Sequence, residues 1–261
     1  MQQGICSLSA VPLRSAPAES AEMVNQVLFG ESYNVLEVSG AWLRIALHHD
    51  GYEGWLSAAQ HLGLPAKSGT TPPQAPVPVA SDLIEIVAQE NGDRYFPIFL
   101  GSLLPGYTPE KQKVQLAEEV YQYNGPAQST QLTRKQLHEL ALQYLDAPYF
   151  WGGRSPFGID CSGLVQMVYR LAGYHIPRDS SQQAQEGHTL SFIEEAELGD
   201  LAFFDNEEGA ITHVGIILED HHILHGSGKV RIDRLDQTGI FNPELGRHTH
   251  RLRVMKKIIG V

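Results

Sequence analysis

The sequence has few of the features that mark membrane, secreted or nucleic-acid-binding proteins. No apolar run approaches the roughly 18 residues that a transmembrane helix needs. Residues 1–6 contain neither the basic segment nor the apolar segment of a secretory signal, so we expect a cytoplasmic protein. Positive charge is also scarce, because 19 basic side chains stand against 30 acidic ones, for a net charge of −11. This balance argues against nucleic acid or an anionic membrane as the partner.

Cysteine is scarce as well. The two cysteines, Cys6 and Cys161, lie far apart and show no spacing typical of a disulfide framework. Such usage fits a reducing compartment. We predict that Cys6 is simply packed in a core, because free cysteine behaves as a small apolar side chain.

The length of 261 residues allows one to three domains, and residues 1–65 have the pattern of a small β-unit. Apolar and polar side chains alternate over residues 33–38 and 42–47. Paired glycines and aromatic residues at 51–56 indicate a bend in a small barrel. The unit resembles bacterial SH3 domains. The motifs that carry this resemblance are VPLR at 11–14, VLFGE at 27–31, WLRI at 42–45 and GWL at 54–56.

Proline-rich sequence follows and predicts a stiff linker over residues 66–80. Beyond it, short apolar runs rich in β-branched and aromatic residues alternate with Asn-Gly and Pro-Gly turns. We interpret residues 81–128 as a second, degenerate SH3-like barrel. The alternative is a decorated linker that packs on its neighbours.

Residues 129–261 begin with a helix signal and end with strand signals. Thr133 and Gln136 form a capping box, and an apolar face follows that ends before Pro148. That face consists of Leu137, Leu140, Ala141, Tyr144 and Leu145. Consecutive strands are predicted at 200–204, 212–218, 222–225 and 230–233. Helices followed by strands predict an α+β domain in which helices pack on an antiparallel sheet.

Cys161 lies where a cysteine can act as a nucleophile. Asp160 is a favoured N-cap residue, and apolar residues recur behind it at helical spacing, so Cys161 would be the first residue of a helix. There the helix dipole and the unpaired backbone N–H groups favour a thiolate and would lower the cysteine pKa from about 8.5 to about 3.5–7.5. From these residues alone, a buried structural cysteine is an equal alternative.

Two histidines can serve such a nucleophile. A cysteine peptidase needs a base that takes the thiol proton and a third group that orients the base. His213 and His225 lie on one predicted antiparallel hairpin and are therefore neighbours on the sheet, although the register that sets their faces does not follow from the sequence. We predict solvated or merely hydrogen-bonded side chains for His48, His49, His61, His138, His188, His248 and His250.

Four motifs in this order closely resemble the NlpC/P60 family of papain-like cell-wall peptidases, over roughly residues 132–261. They are DCSGLV at 160–165, GDLAFF at 199–204, HVGI at 213–216 and HGS at 225–227. The resemblance implies a papain-like fold in which Cys161 is the nucleophile, His213 the general base and His225 the residue that orients the base. It also implies an oxyanion hole that includes the backbone N–H of Cys161.

The combination of SH3 domains with this catalytic domain resembles the subgroup that removes L-Ala-γ-D-Glu from the free amino end of murein peptides. The resemblance implies a murein peptide as partner, with diaminopimelate or lysine after the scissile bond, and a role in wall recycling. In the subgroup a carboxylate anchors the substrate amine, and an SH3 glutamate and a tyrosine close the pocket. Carried over to this sequence, the substrate-binding side chains are Asp179, Ser180, Tyr52 and Glu31, together with Trp151, Asp160 and Ser162 near the nucleophile.

The carried-over residues also have ordinary structural interpretations. Asp179 is a natural N-cap for a helix over residues 180–185. Tyr52 is equally well a core residue, and Glu31 a surface residue. Other functions stay open at this point: an endopeptidase that acts on intact peptidoglycan, a murein-peptide-binding protein without activity, and an acyltransferase on the same scaffold.

A metal hydrolase is a further alternative. The zinc-type ligands would be Cys161, His213 and His225 with His221 or His222. However, the sequence lacks a close ligand pair of the usual spacing, and adjacent histidines alternate sides along a strand. We therefore predict a thiol mechanism with no metal and no other cofactor.

Overall fold

The computed structural model describes residues 2–65, 77–92 and 94–260, and the chain forms two compact units. The first unit spans Met1–Thr130 and the second spans Gln131–Val261. No helix within the described residues is long and apolar enough to cross a membrane. Most of the predicted linker, residues 66–80, falls on residues 66–76, which lie outside the described residues.

The described part of residues 2–65 forms an antiparallel sheet of seven strands in the order β3-β2-β6-β5-β4-β1-β7. The strands are β1 (Gln3–Ile5), β2 (Ala10–Arg14), β3 (Met23–Leu28), β4 (Ser32–Ser39), β5 (Trp42–Leu47), β6 (Glu53–Ser57) and β7 (Leu62–Gly63). Leu43, Ile45 and Leu47 are buried along β5, which confirms the predicted period of two. Cys6 lies in the core of this sheet, as predicted.

The rest of the first unit forms a sheet of four strands, in the order β10-β9-β12-β11, and a strand pair of β8 with β13. The strands are β8 (Val79–Ala80), β9 (Ile84–Gln89), β10 (Tyr95–Phe99), β11 (Lys113–Leu116), β12 (Glu119–Gln122) and β13 (Ala127–Gln128). The predicted linker therefore ends too late in the sequence, because its last two residues, Val79 and Ala80, form β8 and are buried in a strand pair.

The two sheets of the first unit share a core. The ring of Phe29 meets that of Tyr121 edge to face, with centroids 5.5 Å apart, and the N–H of Leu103 donates to the carbonyl of Phe29. At Gly30 the backbone φ is +79°, and a Cβ would lie 2.2 Å from the carbonyl oxygen of Leu103, so the close approach requires glycine. Residues 81–128 thus pack directly on the first sheet, and a separate second barrel stays a prediction.

The second unit combines helices with an antiparallel sheet of seven strands, in the order β16-β22-β17-β18-β19-β20-β21, within the described residues. Strand β22 also pairs with β21, which closes six of these strands into a barrel. Helix α2 contacts β18 and β19. The elements are α1 (Arg134–Ala141), β14 (Arg154–Ser155), β15 (Gly158–Ile159), α2 (Cys161–Leu171), α3 (Ser180–Gln183), β16 (His188–Leu190), β17 (Leu201–Asp205), β18 (Ile211–Ile217), β19 (His222–Ser227), β20 (Lys229–Leu235), β21 (Gly239–Asn242) and β22 (Arg247–Lys257).

The first helix of this unit begins as predicted and ends early. The capping box of Thr133 and Gln136 is present at its start. A 3₁₀ turn replaces the last predicted turn of the helix, and Leu145, predicted on the apolar face, is exposed. The chain leaves the helix there because the N–H of Asp146 bonds to the carbonyl of Val230 in β20.

Candidate active site

Cys161 is the first residue of α2, as predicted. The side chain of Asp160 caps this helix by accepting the N–H of Gly163 at 2.7 Å. The Cys161 thiol accepts the backbone N–H of Val214, the residue after His213 in β18. This contact brings the thiol to the strand that carries His213.

Glycines let the start of α2 approach the sheet closely. A Cβ on Gly226, next to His225 in β19, would lie 3.3 Å from the backbone nitrogen of Cys161. A Cβ on Gly163 would lie 2.4 Å from the carbonyl oxygen of Gly153, which is closer than any side chain tolerates. The helix therefore begins directly against the strands that carry the two histidines.

Asp160 is buried and holds the segments around the nucleophile together. Arg178 donates to both carboxylate oxygens, at 3.0 and 2.6 Å, and to the hydroxyl of Ser162 at 2.8 Å. The N–H of Gly152 donates to Asp160 Oδ2 at 2.8 Å. Asp160 and Ser162 are buried and bonded to Arg178, so they hold the chain on both sides of Cys161 in place, and substrate binding by these two residues stays a prediction.

His213 and His225 meet across β18 and β19, where His225 pairs with Gly215. His213 Nε2 lies 2.9 Å from His225 Nδ1, and His225 Nε2 lies 3.1 Å from Asp233 Oδ2. The Nε of Arg231 lies 2.9 Å from the same carboxylate oxygen. The two imidazoles and the carboxylate thus form a buried hydrogen-bonded chain, which we call the His213–His225–Asp233 chain.

The carboxylate at the end of this chain fixes the proton position on the ring nitrogen that faces it. Burial raises the pKa of Asp233, but hydrogen bonds from His225 and Arg231 outweigh burial and lower it below its usual value. An ionised carboxylate only accepts, so His225 Nε2 carries a hydrogen, and the other ring nitrogen, Nδ1, faces Nε2 of His213. When His225 Nδ1 accepts, His213 donates from Nε2 and keeps a lone pair on Nδ1. This is the arrangement that a general base and its orienting group require.

Burial disfavours the charged forms of both Cys161 and His213. Burial raises the pKa of the Cys161 thiol to about 12, the Asp160 carboxylate adds to the rise, and backbone N–H groups oppose it. Burial also lowers the pKa of His213 well below 6.5, and the neighbouring His250 and His225 lower it further. The predicted fall in the thiol pKa is therefore wrong for the resting site, because loss of water outweighs the helix N-terminus.

His250 in β22 belongs to the site, although we predicted an ordinary solvated or hydrogen-bonded histidine. Its ring stacks on His213 with centroids 4.1 Å apart, and it meets the His225 ring nearly at right angles at 5.6 Å. Burial lowers the pKa of His250 to about 4. The position of His250 does not follow from the sequence, because it depends on strands that are far apart in the chain. Strand β22 pairs with β17, and β17 pairs with β18, where Phe204 lies opposite His213.

No role follows from the sequence for Asp233, Arg231 or Arg178. In β20 the alternation of apolar and polar residues predicts that Val230 and Ile232 are buried and that Asp233 is exposed. In the structure Ile232 is exposed and Asp233 is buried. The usable signal is the i, i+2 spacing of Arg231 and Asp233, which places both charges on one face of the strand. For Arg178 the sequence offers no such signal, because its partner lies in another segment.

Asp179 and Ser180 follow directly after Arg178 and are half-buried. Asp179 occupies the N-cap position of α3, but its side chain makes no capping hydrogen bond, so capping does not account for it. The helix also ends earlier than predicted, at Gln183. Trp151 is 58% exposed and therefore open to a ligand. Substrate contact by these side chains stays a prediction.

Glu31 and Tyr52 lie in the first unit. Glu31 is fully buried, its Oε2 accepts the N–H of Leu28 at 2.9 Å, and its Oε1 lies 3.8 Å from Nδ1 of His49. The surface interpretation of Glu31 is therefore wrong. Tyr52 packs against the core of the first sheet, in agreement with its structural interpretation. A part in substrate binding stays a prediction for both residues.

His221 and His222 do not form a metal-type cluster with His213 and His225 among the described residues. His221 lies in the turn before β19, with a φ of +55°, and His222 pairs with Arg234 at the start of that strand. The zinc site that we considered with these two histidines is therefore not assembled.

Comparison with known proteins gives matches over both units. A family model described as NlpC/P60 family matches residues 146–247, and a model described as bacterial dipeptidyl-peptidase Sh3 domain matches residues 13–60. The sequence is 30% identical over 238 residues to gamma-D-glutamyl-L-lysine dipeptidyl-peptidase of Bacillus subtilis (strain 168), which covers 84% of this chain and 78% of that protein. It is 27% identical over 255 residues to dipeptidyl-peptidase 6 of Lysinibacillus sphaericus, which covers 86% of this chain and 89% of that protein.

A solved structure shares the fold. The crystal structure of an NlpC/P60 family protein from Bacillus cereus ATCC 10987 matches with a TM-score of 0.83 at 20% sequence identity. The match covers 98% of this chain and 99% of that chain.

Alkylation with iodoacetamide tests the neutral thiol. In a Cys6→Ala background, the rate of Cys161 alkylation should rise continuously from about pH 6 to about pH 10, because burial keeps the thiol pKa at about 12. Mass spectrometry of the peptide that contains Cys161 measures the rate. A Cys161→Ala variant that retains Cys6 gives the background. A rate that levels off below about pH 7 would show a thiolate at rest and contradict the neutral pair.

Proposed function

This chain belongs to the NlpC/P60 family of cysteine peptidases, and we propose that it hydrolyses the bond between γ-D-glutamate and the following diamino acid of murein peptides, releasing L-Ala-γ-D-Glu. The observation that carries the proposal is the buried His213–His225–Asp233 chain beside the thiol of Cys161. The names of the relatives and the dipeptidyl-peptidase SH3 match over residues 13–60 favour a dipeptidyl-peptidase among the activities of the family.

In the proposed reaction, Sγ of Cys161 attacks the γ-carbonyl carbon of the glutamyl residue while Nδ1 of His213 takes the thiol proton. The imidazolium that forms is stabilised through His225, whose other ring nitrogen donates to the ionised Asp233. His213 then gives the proton to the amine of the leaving diamino acid, and a thioester is left on the enzyme. Water that loses a proton to His213 hydrolyses the thioester and restores the thiol.

The start of α2 provides for the negative charge that develops on the substrate oxygen. The backbone N–H of Cys161 is one of the unpaired donors at a helix N-terminus, and the helix dipole favours an anion there. Because the resting thiol and imidazole are both neutral, proton transfer and attack occur together. The thiolate need not exist before substrate binds.

Recognition of the substrate amine is assigned to Asp179. Asp179 is the next residue after Arg178, whose side chain binds Asp160 and Ser162 on either side of Cys161. The main chain at Asp179 is therefore held close to the proposed nucleophile. An ammonium group and a carboxylate form a charge-assisted hydrogen bond that an acylated amine cannot make.

An endopeptidase that acts on intact peptidoglycan is the second candidate, since the catalytic groups do not by themselves require a free amine. A murein-peptide-binding protein without activity is less consistent with the complete set of thiol, base and orienting group. An acyl group or the rest of a glycan strand on the L-Ala amine would block the proposed contact, whereas imported wall fragments can present a free amine. A preference for free amines is therefore what the proposed recycling role and cytoplasmic location require.

Replacement of the reacting groups tests the thiol mechanism. Cys161→Ala and His213→Ala should each lower kcat by a factor on the order of 10⁴ or more, because these residues act as a unit. His225→Ala should cost less, because the proposed base His213 is retained. His188→Ala, at an exposed histidine of the same unit, should leave kcat unchanged.

The substrate is synthetic L-Ala-γ-D-Glu-diaminopimelate, with products measured by mass spectrometry. Circular dichroism shows whether each variant is folded. Substantial hydrolysis by folded Cys161→Ala, or loss of wild-type activity with a chelator, would contradict the thiol mechanism.

The blocked substrate tests the dipeptidyl-peptidase assignment. N-acetylation removes a charge-assisted contact of about 1.5–3 kcal/mol, so kcat/KM should fall roughly ten- to a hundredfold. Asp179→Ala should remove most of this preference by slowing hydrolysis of the free peptide. Glu186→Ala, at an exposed carboxylate nearby in the sequence, should preserve it.

Equal kcat/KM for the free and acetylated peptides would contradict both the assignment and the recycling role. An endopeptidase of the same family would then be the better description.

A further inference from the structure

Three histidines converge beside the thiol. Among the described residues, His213, His225 and His250 each place a ring nitrogen within 4.8 Å of the other two. They come from β18, β19 and β22, so the barrel itself brings them together. His213 and His225 are buried, and His250 is half-buried. The proposed peptidase reaction uses the first two and gives no task to the third.

The surroundings of the cluster are those of a metal site. Imidazole suits Zn²⁺, Cu²⁺ and Ni²⁺, and three histidines with one open position form a common zinc site. In such sites a ligating histidine usually donates its other ring N–H to a carboxylate. His225 does so to Asp233 at 3.1 Å. The Nδ1 of His250 lies 2.9 Å from the hydroxyl of Thr249, which leaves its Nε2 for a metal.

We propose that His213, His225 and His250 bind a divalent transition-metal ion such as Zn²⁺, and that the bound ion reversibly switches the peptidase off. His213 Nε2, His225 Nδ1 and the remaining nitrogen of His250 are the ligands. Water takes the fourth position. The ion replaces the hydrogen bond between His213 and His225.

The spacing of the ligand atoms allows a metal ion to replace the hydrogen bond between His213 and His225. Zn–N bonds of about 2.0–2.1 Å in a tetrahedral site hold the nitrogens roughly 3.3–3.4 Å apart. His213 Nε2 and His225 Nδ1 now lie 2.9 Å apart, so they need to separate only slightly. His250 needs to turn inward from its stacked position on His213.

Metal binding blocks the base through a proton shift within one ring. In the active form His213 carries its hydrogen on Nε2 and has its lone pair on Nδ1. For Nε2 to bind the ion, that hydrogen must move to Nδ1, so no proton is gained or lost by the neutral imidazole. Nδ1 then has no lone pair for the Cys161 thiol. The site is therefore either loaded with metal or competent as a base.

The inhibition rests on the proposed role of His213, whereas metal binding does not. Binding is therefore measured on full-length Cys161→Ala, which has no active-site thiol that could hold the metal. Co²⁺ serves as a visible probe, because four-coordinate Co²⁺ absorbs strongly, and Zn²⁺ is titrated against it. We expect one Co²⁺ per chain at this site and its displacement by Zn²⁺.

Variants in the Cys161→Ala background locate the site. His250→Ala should weaken Co²⁺ binding at least tenfold, and Asp233→Asn roughly ten- to a hundredfold, because the carboxylate orients His225. His248→Ala is the matched control, because His248 lies on the same strand and bonds to Asp236 instead. Absence of four-coordinate Co²⁺ in folded Cys161→Ala, or equal affinity after His250→Ala, would overturn the proposal.

Activity measurements test the switch. Zn²⁺ should inhibit the wild-type enzyme with one ion per chain, and a chelator should restore full activity. Relative to its own metal-free rate, His250→Ala should need at least tenfold more Zn²⁺ for the same inhibition. Equal sensitivity of the two proteins would place the inhibiting ion elsewhere and overturn the switch. If the metal-free wild type cleaves no murein peptide, the proposed function fails, and the Co²⁺ titration still decides the metal site.

Discussion

The exclusion of water from Cys161 and His213 is the constraint on which the rest of the site depends. Burial raises the pKa of the thiol and lowers that of the imidazole, so neither charge of an ion pair is favoured at rest. A nucleophile can then form only if its proton has a well-placed acceptor. In the proposed mechanism His213 is that acceptor, and the chain through His225 to Asp233 orients its ring and stabilises the charge that develops.

A buried ion pair maintains this geometry. Asp160 binds Arg178, the N–H of Gly152 and the N–H of Gly163, so one carboxylate joins three segments of the chain at the start of α2. Loss of either charged partner would leave an uncompensated charge in the interior, which typically costs about 3–5 kcal/mol. The pair therefore fixes the start of α2, where Cys161 lies.

The local parts of the site could be predicted from the sequence. The N-cap at Asp160, the helix start at Cys161 and the pairing of the strands that carry His213 and His225 all depend on neighbouring residues or on one hairpin. The contributions of Arg178 and His250 could not be predicted, because each depends on a contact between distant segments. The protonation state was predicted wrongly, since the helix N-terminus is visible in the sequence and burial is not.

The fold shows the same division. Alternating strands and the capping box at Thr133 follow from local patterns and are present. The early end of α1 and the strand at Val79–Ala80 depend on partners elsewhere in the chain, Val230 for the first and β13 for the second. The closure of the barrel by β22 also depends on distant partners, because β22 pairs with both β17 and β21. This closure places the ring of His250 on that of His213.

The proton positions in the His213–His225–Asp233 chain are the most direct test of this description of the site. Long-range ¹H–¹⁵N correlation spectra of the chain labelled in its histidine rings reveal the tautomer of each imidazole, and substitution of either histidine assigns its signals. At neutral pH we expect His213 to be neutral with its hydrogen on Nε2, and His225 to carry a hydrogen on the Nε2 that faces Asp233. A doubly protonated His213, or a hydrogen on its Nδ1, in the metal-free resting enzyme would contradict the neutral thiol–imidazole pair.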